Sequence, residues 1–296
     1  MNENDTTAVR ATLIGGSAIL LWSMLALLTT GARGIPPFQL LALTFGIASA
    51  TSLIYLAARG PTALAKLRQR PAAWLLGTGG LFGFHFFYFV ALARAPAVEA
   101  SLIVYLWPLL IVLFSALLPG VTLRWFHVAG ALLGLGGAAL LLSAQGQVAF
   151  ESQHLTGYLA ALGAAVTWAV YSVSNQRFGD VPTEAVSGFC VATTLLGLLF
   201  HFAGESWVQP RSLQWLSILG LGLGPVGAAF FLWDYGTKHG SVQTLGVLSY
   251  AGPLLSTVLL IAFGRAEPSW TLAAACILIV GGAVLASKEL LLVRRR

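Results

Sequence analysis

Eight side chains of this chain lie inside long apolar runs and yet carry a large ring face, a hydroxyl or an imidazole: Trp22, His85, Tyr88, Ser101, Tyr105, Trp168, Tyr171 and Tyr250. Their spacing groups them. Ser101, Tyr105 and Pro108 stand at i, i+4 and i+7, so a helix carries them on one face. Gly246, Tyr250 and Pro253 repeat that arrangement, Trp168, Tyr171 and Asn175 form another stripe, and His85 and Tyr88 are one turn apart. Trp107 points roughly 100° away from Pro108 on a continuous helix and is left without an assigned direction. Trp74, Trp125, Trp207, Trp215, Trp233 and Trp270 lie near the ends of apolar runs and are expected at the membrane interfaces. Rings and hydroxyls of this kind hold a flat ligand by stacking and by cation–π contact, without a strong countercharge. Each of the tyrosines has the alternative of a buried hydroxyl satisfied between helices, and His85 that of a bond to a hydroxyl or carbonyl.

Catalytic chemistry finds no such grouping. The five histidines, His85, His127, His154, His201 and His239, are scattered, and no carboxylate cluster stands beside any of them. Cys190 and Cys276 lie in separate apolar runs and read as packing residues, with neither disulfide nor metal-site spacing. No nucleotide-binding loop is present. The expectation is a protein that is not an enzyme and takes no cofactor or metal.

The elements that must position these residues follow from composition. Hydrophobic residues make up 57% of the 296 and charged residues 9%, too few charges to cover a water-facing surface. The apolar residues come in runs of about 20, the length of a bilayer-spanning helix. Ten spans are expected, at 11–30, 36–58, 72–93, 98–118, 125–143, 156–177, 183–202, 212–236, 242–263 and 269–291. The fold class is therefore an all-α integral membrane protein. No small-residue cleavage site follows the first span, which is expected to be retained. The formal charge of +6 sits in connectors and at the carboxyl terminus, a topological distribution rather than a nucleic-acid surface.

The chain also repeats. Tyr105 and Tyr250, Pro108 and Pro253, Trp125 and Trp270, and Phe86 and Phe231 are each 145 residues apart, while Trp22 and Trp168 are 146 apart. Residues 1–150 and 151–296 thus read as two five-helix repeats. Five is odd, so two halves of one fold must insert with opposite orientation. With the amino terminus in the cytoplasm, twelve Lys and Arg face inward, among them Arg59, Lys66, Arg68, Arg70, Lys288 and Arg294 to Arg296; only Arg33, Arg94, Arg211 and Arg265 face outward. Both termini are therefore expected in the cytoplasm. Inverted repeats place a ligand site near the bilayer midplane, where the halves meet. Pro108 and Pro253, with Pro225 in GLGLGPVG, would bend helices near that depth and act as hinges.

The segments LLWSM, LARAPAVEASLIVYLWPLL, AAVTWAVYSVSNQRFG and HGSVQTLGVLSYAGPLL, with the matched GGAAL and GGAVL, are together similar to the drug/metabolite transporter superfamily and its EamA-type exporters. Within that family the chain most resembles bacterial aromatic amino acid exporters, which also expel methyl viologen. The resemblance covers essentially the whole chain. It implies a multi-pass protein of the bacterial inner membrane that exports small organic solutes by alternating access. The implied cavity is lined by helices 1, 3, 4, 6, 8 and 9, with no nucleic-acid partner. Other metabolites or flat organic cations remain alternative substrates. An intramembrane enzyme is the reading from another class, and it lacks clustered catalytic groups. Nothing in the sequence sets an oligomeric state. Asp234 and Lys238 are expected to form an i, i+4 pair, and Glu99 to sit at a helix start. His85 is then left as the one deep titratable group, and solute flow down its own gradient competes with proton antiport through it.

Single cysteines at Gln69 and Gln147, in a variant lacking Cys190 and Cys276, should be labelled from opposite sides of the membrane. Labelling of both from one side refutes the topology.

Overall fold

The computed structural model describes residues 3–144, 146, 148–264 and 267–286, and all regular secondary structure among them is helical. Arg265, Lys288, Arg294 to Arg296, the labelling position Gln147 and the expected end of the tenth span at 291 lie outside the described residues.

Among the described residues, nine helices are long and apolar enough to cross a membrane. They are α1 (Thr6–Gly31), α2 (Pro37–Ala58), α3 (Pro71–Arg94), α4 (Ala97–Ser115), α5 (Trp125–Ser143), α6 (Ser152–Phe178), α7 (Thr183–Gly204), α8 (Ser212–His239) and α9 (Val242–Ala262). A shorter apolar helix, α10 (Trp270–Ala286), follows. Prolines open α2 and α3 at their first turn, where the missing N–H has no helical partner anyway. The expected fourth span ended at 118; α4 ends at Ser115 because the chain turns into the positive-φ Gly120. The expected eighth span ended at 236, whereas α8 runs on to His239 and includes Lys238.

Four helix pairs dominate the packing: α5 with α10, α3 with α6, α2 with α7, and α1 with α8. Exchanging each helix with the one five places along the chain carries α5–α10 and α2–α7 into themselves and swaps the other two. Lipid supplies no hydrophobic drive between helices, so close backbone approach at small residues must supply the contact. Accordingly, a methyl at Gly15 would stand 2.8 Å from the Gly236 Cα, and one at Gly282 would stand 2.5 Å from the Gly130 carbonyl.

Polar clips hold the two ends of the bundle. At the end carrying the α2–α3 and α6–α7 connectors, Lys66 meets Glu184 at 2.6 Å and Arg70 meets Asp180 at 3.0 Å. Both pairs are substantially exposed and contribute modestly. At the other end the Glu205 carboxylate accepts the free backbone N–H groups of Phe38 and Gln39, each at 3.0 Å, and is held by His201 Nδ1 at 2.9 Å. That carboxylate caps a helix from across the bundle and meets the positive end of its dipole.

Gly282→Leu should overpack the α5–α10 contact and cost about 1–3 kcal/mol, read as a lower melting temperature in detergent. Gly281→Leu, whose methyl position meets nothing within 4 Å, should melt like the parent.

Candidate functional site

Three helices break near mid-length. In α4 the chain leaves helical geometry at Tyr105 and Leu106 and resumes at Trp107, and in α9 it does so at Ser249 and Tyr250. Both breaks lie just before the matched prolines, whose rings remove an N–H and crowd the carbonyl four residues back. In α8, Gly224–Ala228 forms a single π-helical turn containing Pro225. The backbone groups that these breaks release find side-chain partners. Trp22 Nε1 donates to the Pro225 carbonyl at 3.0 Å, and the Leu109 N–H donates to the Tyr250 hydroxyl at 3.1 Å.

Around the Pro225 turn stands an aromatic cluster. Trp22 touches Trp107, Trp168, Phe230 and Trp233 with ring centroids 5.1–6.4 Å apart. Trp168 lies 5.4 Å from Phe84, which stacks on Tyr88 at 6.0 Å and meets His85 edge-on at 5.3 Å. The Tyr88 hydroxyl lies beside Ser101 and near the Tyr105 hydroxyl. Six of the expected site residues, Trp22, His85, Tyr88, Ser101, Tyr105 and Trp168, thus form one connected array through Phe84.

The other two are committed to packing between helices. Tyr250 is fully buried against Gly134 of α5, and its hydroxyl is occupied by the Leu109 amide. Tyr171 touches Trp168 at 5.2 Å but is wedged against Gly80 of α3. Its hydroxyl is buried without a hydrogen-bond partner among the described residues.

The sequence placed Trp233 at a membrane interface, and the structure corrects this: Trp233 is fully buried in the ring cluster. Because α8 continues to His239, Trp233 lies more than one turn inside its end. Its Nε1 donates to Ser172 Oγ at 3.0 Å. Trp107, left without a direction, joins the same cluster, 6.3 Å from Trp168.

The cluster's polar atoms are satisfied unequally. The indole N–H groups of Trp22 and Trp233 are bonded within the protein. Those of Trp107 and Trp168 make no hydrogen bond among the described residues, although both side chains are buried. The His85 Nδ1 faces the Leu81 carbonyl at 2.7 Å. A carbonyl only accepts, so Nδ1 carries the proton and the neutral ring presents Nε2 as an acceptor. Nε2 has no partner of its own among the described residues.

One ion pair is buried beside the rings. Asp234 Oδ2 accepts from Lys238 Nζ at 2.8 Å and from Thr183 Oγ1 at 2.8 Å, and Oδ1 accepts from Asn175 Nδ2 at 3.1 Å. Lys238 Nζ also reaches the Val181 carbonyl at 2.9 Å. The i, i+4 pair expected from the sequence is therefore the centre of a network joining α6, α8 and the α6–α7 connector. Glu99, at the first turn of α4, is buried and accepts from the Ala149 amide at 2.9 Å.

The EamA-like transporter family model matches residues 10–143 and again 155–288. The aromatic amino acid exporter YddG of Ancylobacter novellus is 56% identical over 96% of this chain and 98% of its own length. YddG of Escherichia coli K12, also an aromatic amino acid exporter, is 28% identical over 94% of this chain and 97% of its own. A more distant relative, the probable terminal-alkyne amino-acid exporter of Streptantibioticus cattleyicolor, is 24% identical over 93% of both chains. One solved crystal structure superposes with a TM-score of 0.91 at 55% identity, covering 95% of this chain and 98% of its own.

Lys238→Met strands the buried Asp234 charge and should cost about 3–5 kcal/mol in thermal melting. The double change with Asp234→Asn should recover most of that loss, whereas a merely additive result would show that the pair is not coupled.

Proposed function

This chain belongs to the EamA-like transporter family, and we propose that it exports aromatic amino acids, or close ring-bearing relatives, across the bacterial inner membrane by alternating access. We further propose that residues 1–150 and 151–296 are inverted five-helix repeats with both termini in the cytoplasm. The YddG relatives support the substrate class. The observation that carries the site is the uneven satisfaction of the ring cluster. Two indoles, those of Trp22 and the buried Trp233, are tied to the protein, while Trp107, Trp168 and His85 Nε2 keep free hydrogen-bonding capacity around the same rings.

In this reading the solute's ring lies against Trp22, Phe84 and Trp168. The free indole N–H groups and the Tyr88, Ser101 and Tyr105 hydroxyls donate to its carboxylate, and its ammonium donates to His85 Nε2. Neutral donors hold a carboxylate less tightly than a buried cation would, which suits a carrier that must let go. Pro108, Pro225 and Pro253 serve as the bends at which the helices rock. Both oxygens of Asp234 are engaged, by Lys238, Thr183 and Asn175, which ill suits it to relay protons past the rings. Export then runs down the gradient of an accumulated solute.

Proteoliposomes holding labelled L-phenylalanine should show exchange that depends on solute gradient. Trp168→Ala should lose about 1 kcal/mol of ring contact, roughly a fivefold higher KM, in a protein that still folds. Net accumulation driven by an imposed pH gradient, and abolished in His85→Ala, would put proton antiport in place of facilitated flow. Absence of any phenylalanine exchange would overturn the substrate class.

A further inference from the structure

A cavity opens on a different face of α8 from the one that carries the ring cluster. Adjacent residues of that helix mark the division: the Phe230 ring belongs to the cluster, and Phe231 lines the cavity. The cavity has a volume of about 460 Å³ and is formed by the last turns of α2, the first turn of α7 and the last turns of α8. These are the ends that carry the Lys66–Glu184 clip.

Its walls carry both signs of charge and apolar faces. Arg59 stands just past the end of α2, where among the described residues its one hydrogen bond goes to the Tyr55 hydroxyl at 2.9 Å. Glu184 stands on α7, where Lys66 occupies its Oε1 at 2.6 Å and its own backbone N–H also bonds the carboxylate. Tyr55, Phe231 and Tyr235 supply ring surface. A further observation points to an occupant. Ser187, on the same wall as Glu184, is fully buried, and its Oγ has no hydrogen-bond partner among the described residues. A buried hydroxyl without a partner costs free energy, and proteins leave few of them.

We propose that this cavity is a second binding site for a zwitterionic aromatic amino acid, a waiting position at the end of the bundle that carries the α2–α3 connector. The solute's carboxylate pairs with Arg59, its ammonium meets the remaining lone pairs of the Glu184 carboxylate, Ser187 bonds the solute carboxylate's second oxygen, and the ring lies among Tyr55, Phe231 and Tyr235. The volume falls in the range of small-molecule sites. A guanidinium and a carboxylate on facing walls select a molecule that carries both charges, because an anion alone would leave Glu184 opposed to it. The site rests on the export reading for its solute class, and it adjoins the buried network. Thr183 lines the cavity and at the same time donates to Asp234 Oδ2 at 2.8 Å, so an occupant would touch a residue of that network.

The test is photo-crosslinking of the purified full-length protein with p-benzoyl-L-phenylalanine, followed by peptide mapping. Adducts are expected on segments 52–59 and 231–239, suppressed by excess L-phenylalanine and retained in Trp168→Ala. In Arg59→Gln they should fall by about fivefold or more, the loss of one charge-assisted contact. Should that variant not be recovered folded, Ser187→Ala must reduce the same adducts by about threefold. Adducts confined to α3, α4 and α6, or labelling of 52–59 unchanged by both substitutions, would overturn the site. Suppression by added dioleoyl phosphatidylethanolamine and not by phenylalanine would also overturn it, assigning the zwitterion to lipid. Phenylalanine exchange in proteoliposomes reports on export separately: labelling without exchange would leave the cavity standing and remove the export reading.

Discussion

A helix crossing lipid has no water to satisfy a backbone group that it releases, so each break must come with its own partner. The arrangement of this protein's centre follows from that constraint. The π turn at Gly224–Ala228 frees the Pro225 carbonyl, and the indole of Trp22 takes it. The turn before Pro108 frees the Leu109 amide, and the Tyr250 hydroxyl takes that. Each partner comes from the opposite half of the chain, α1 for α8 and α9 for α4. The bonds that permit the breaks are thus also the bonds that join the halves. The same need fixes the ring of Trp22, while Trp233 is held by the Ser172 hydroxyl, and Trp107 and Trp168 pack against both.

Much of this was legible in the sequence, and the failures have physical causes. The spans, the breaks near Pro108, Pro225 and Pro253, and the Asp234–Lys238 pair follow from hydropathy, helical spacing and the chemistry of proline. Trp107 could not be oriented because its phase was counted along an unbroken helix, and the turn at Tyr105–Leu106 resets that phase. Trp233 was misplaced because helix ends are poorly marked in apolar sequence, and α8 runs on past the expected boundary. Tyr250 shares the motif of Tyr105, yet Tyr250 braces the backbone of α4 while Tyr105 approaches Tyr88. A repeat predicts like positions without predicting like partners. Phe84 and Phe230, which connect the array, gave no signal among 17 phenylalanines. The Arg59–Glu184 cavity draws on three helices far apart in sequence, and no local pattern announces it.

The two kinds of contact at the centre differ in what it takes to part them, and that difference locates the motion. Ring pairs in the cluster are worth about 0.5–1.5 kcal/mol each beyond their burial, and they can be exchanged for equivalent contacts with a solute ring. Separating Asp234 from Lys238 would leave a charge unpaired in a buried setting, at about 3–5 kcal/mol. Asn175, Thr183 and the Val181 carbonyl tie the end of α6 and the α6–α7 connector to that pair. In the proposed alternation, opening the rings would move this network as one body. The bend would then fall elsewhere on α8, and the π turn at Pro225 is where that helix already departs from regular hydrogen bonding. Trp22, bonded to the Pro225 carbonyl, would sit at the pivot. A solute ring seated as proposed against Trp22 and Trp168 would bear on the bend directly, so that binding and rocking would be coupled without a charge having to cross the cluster.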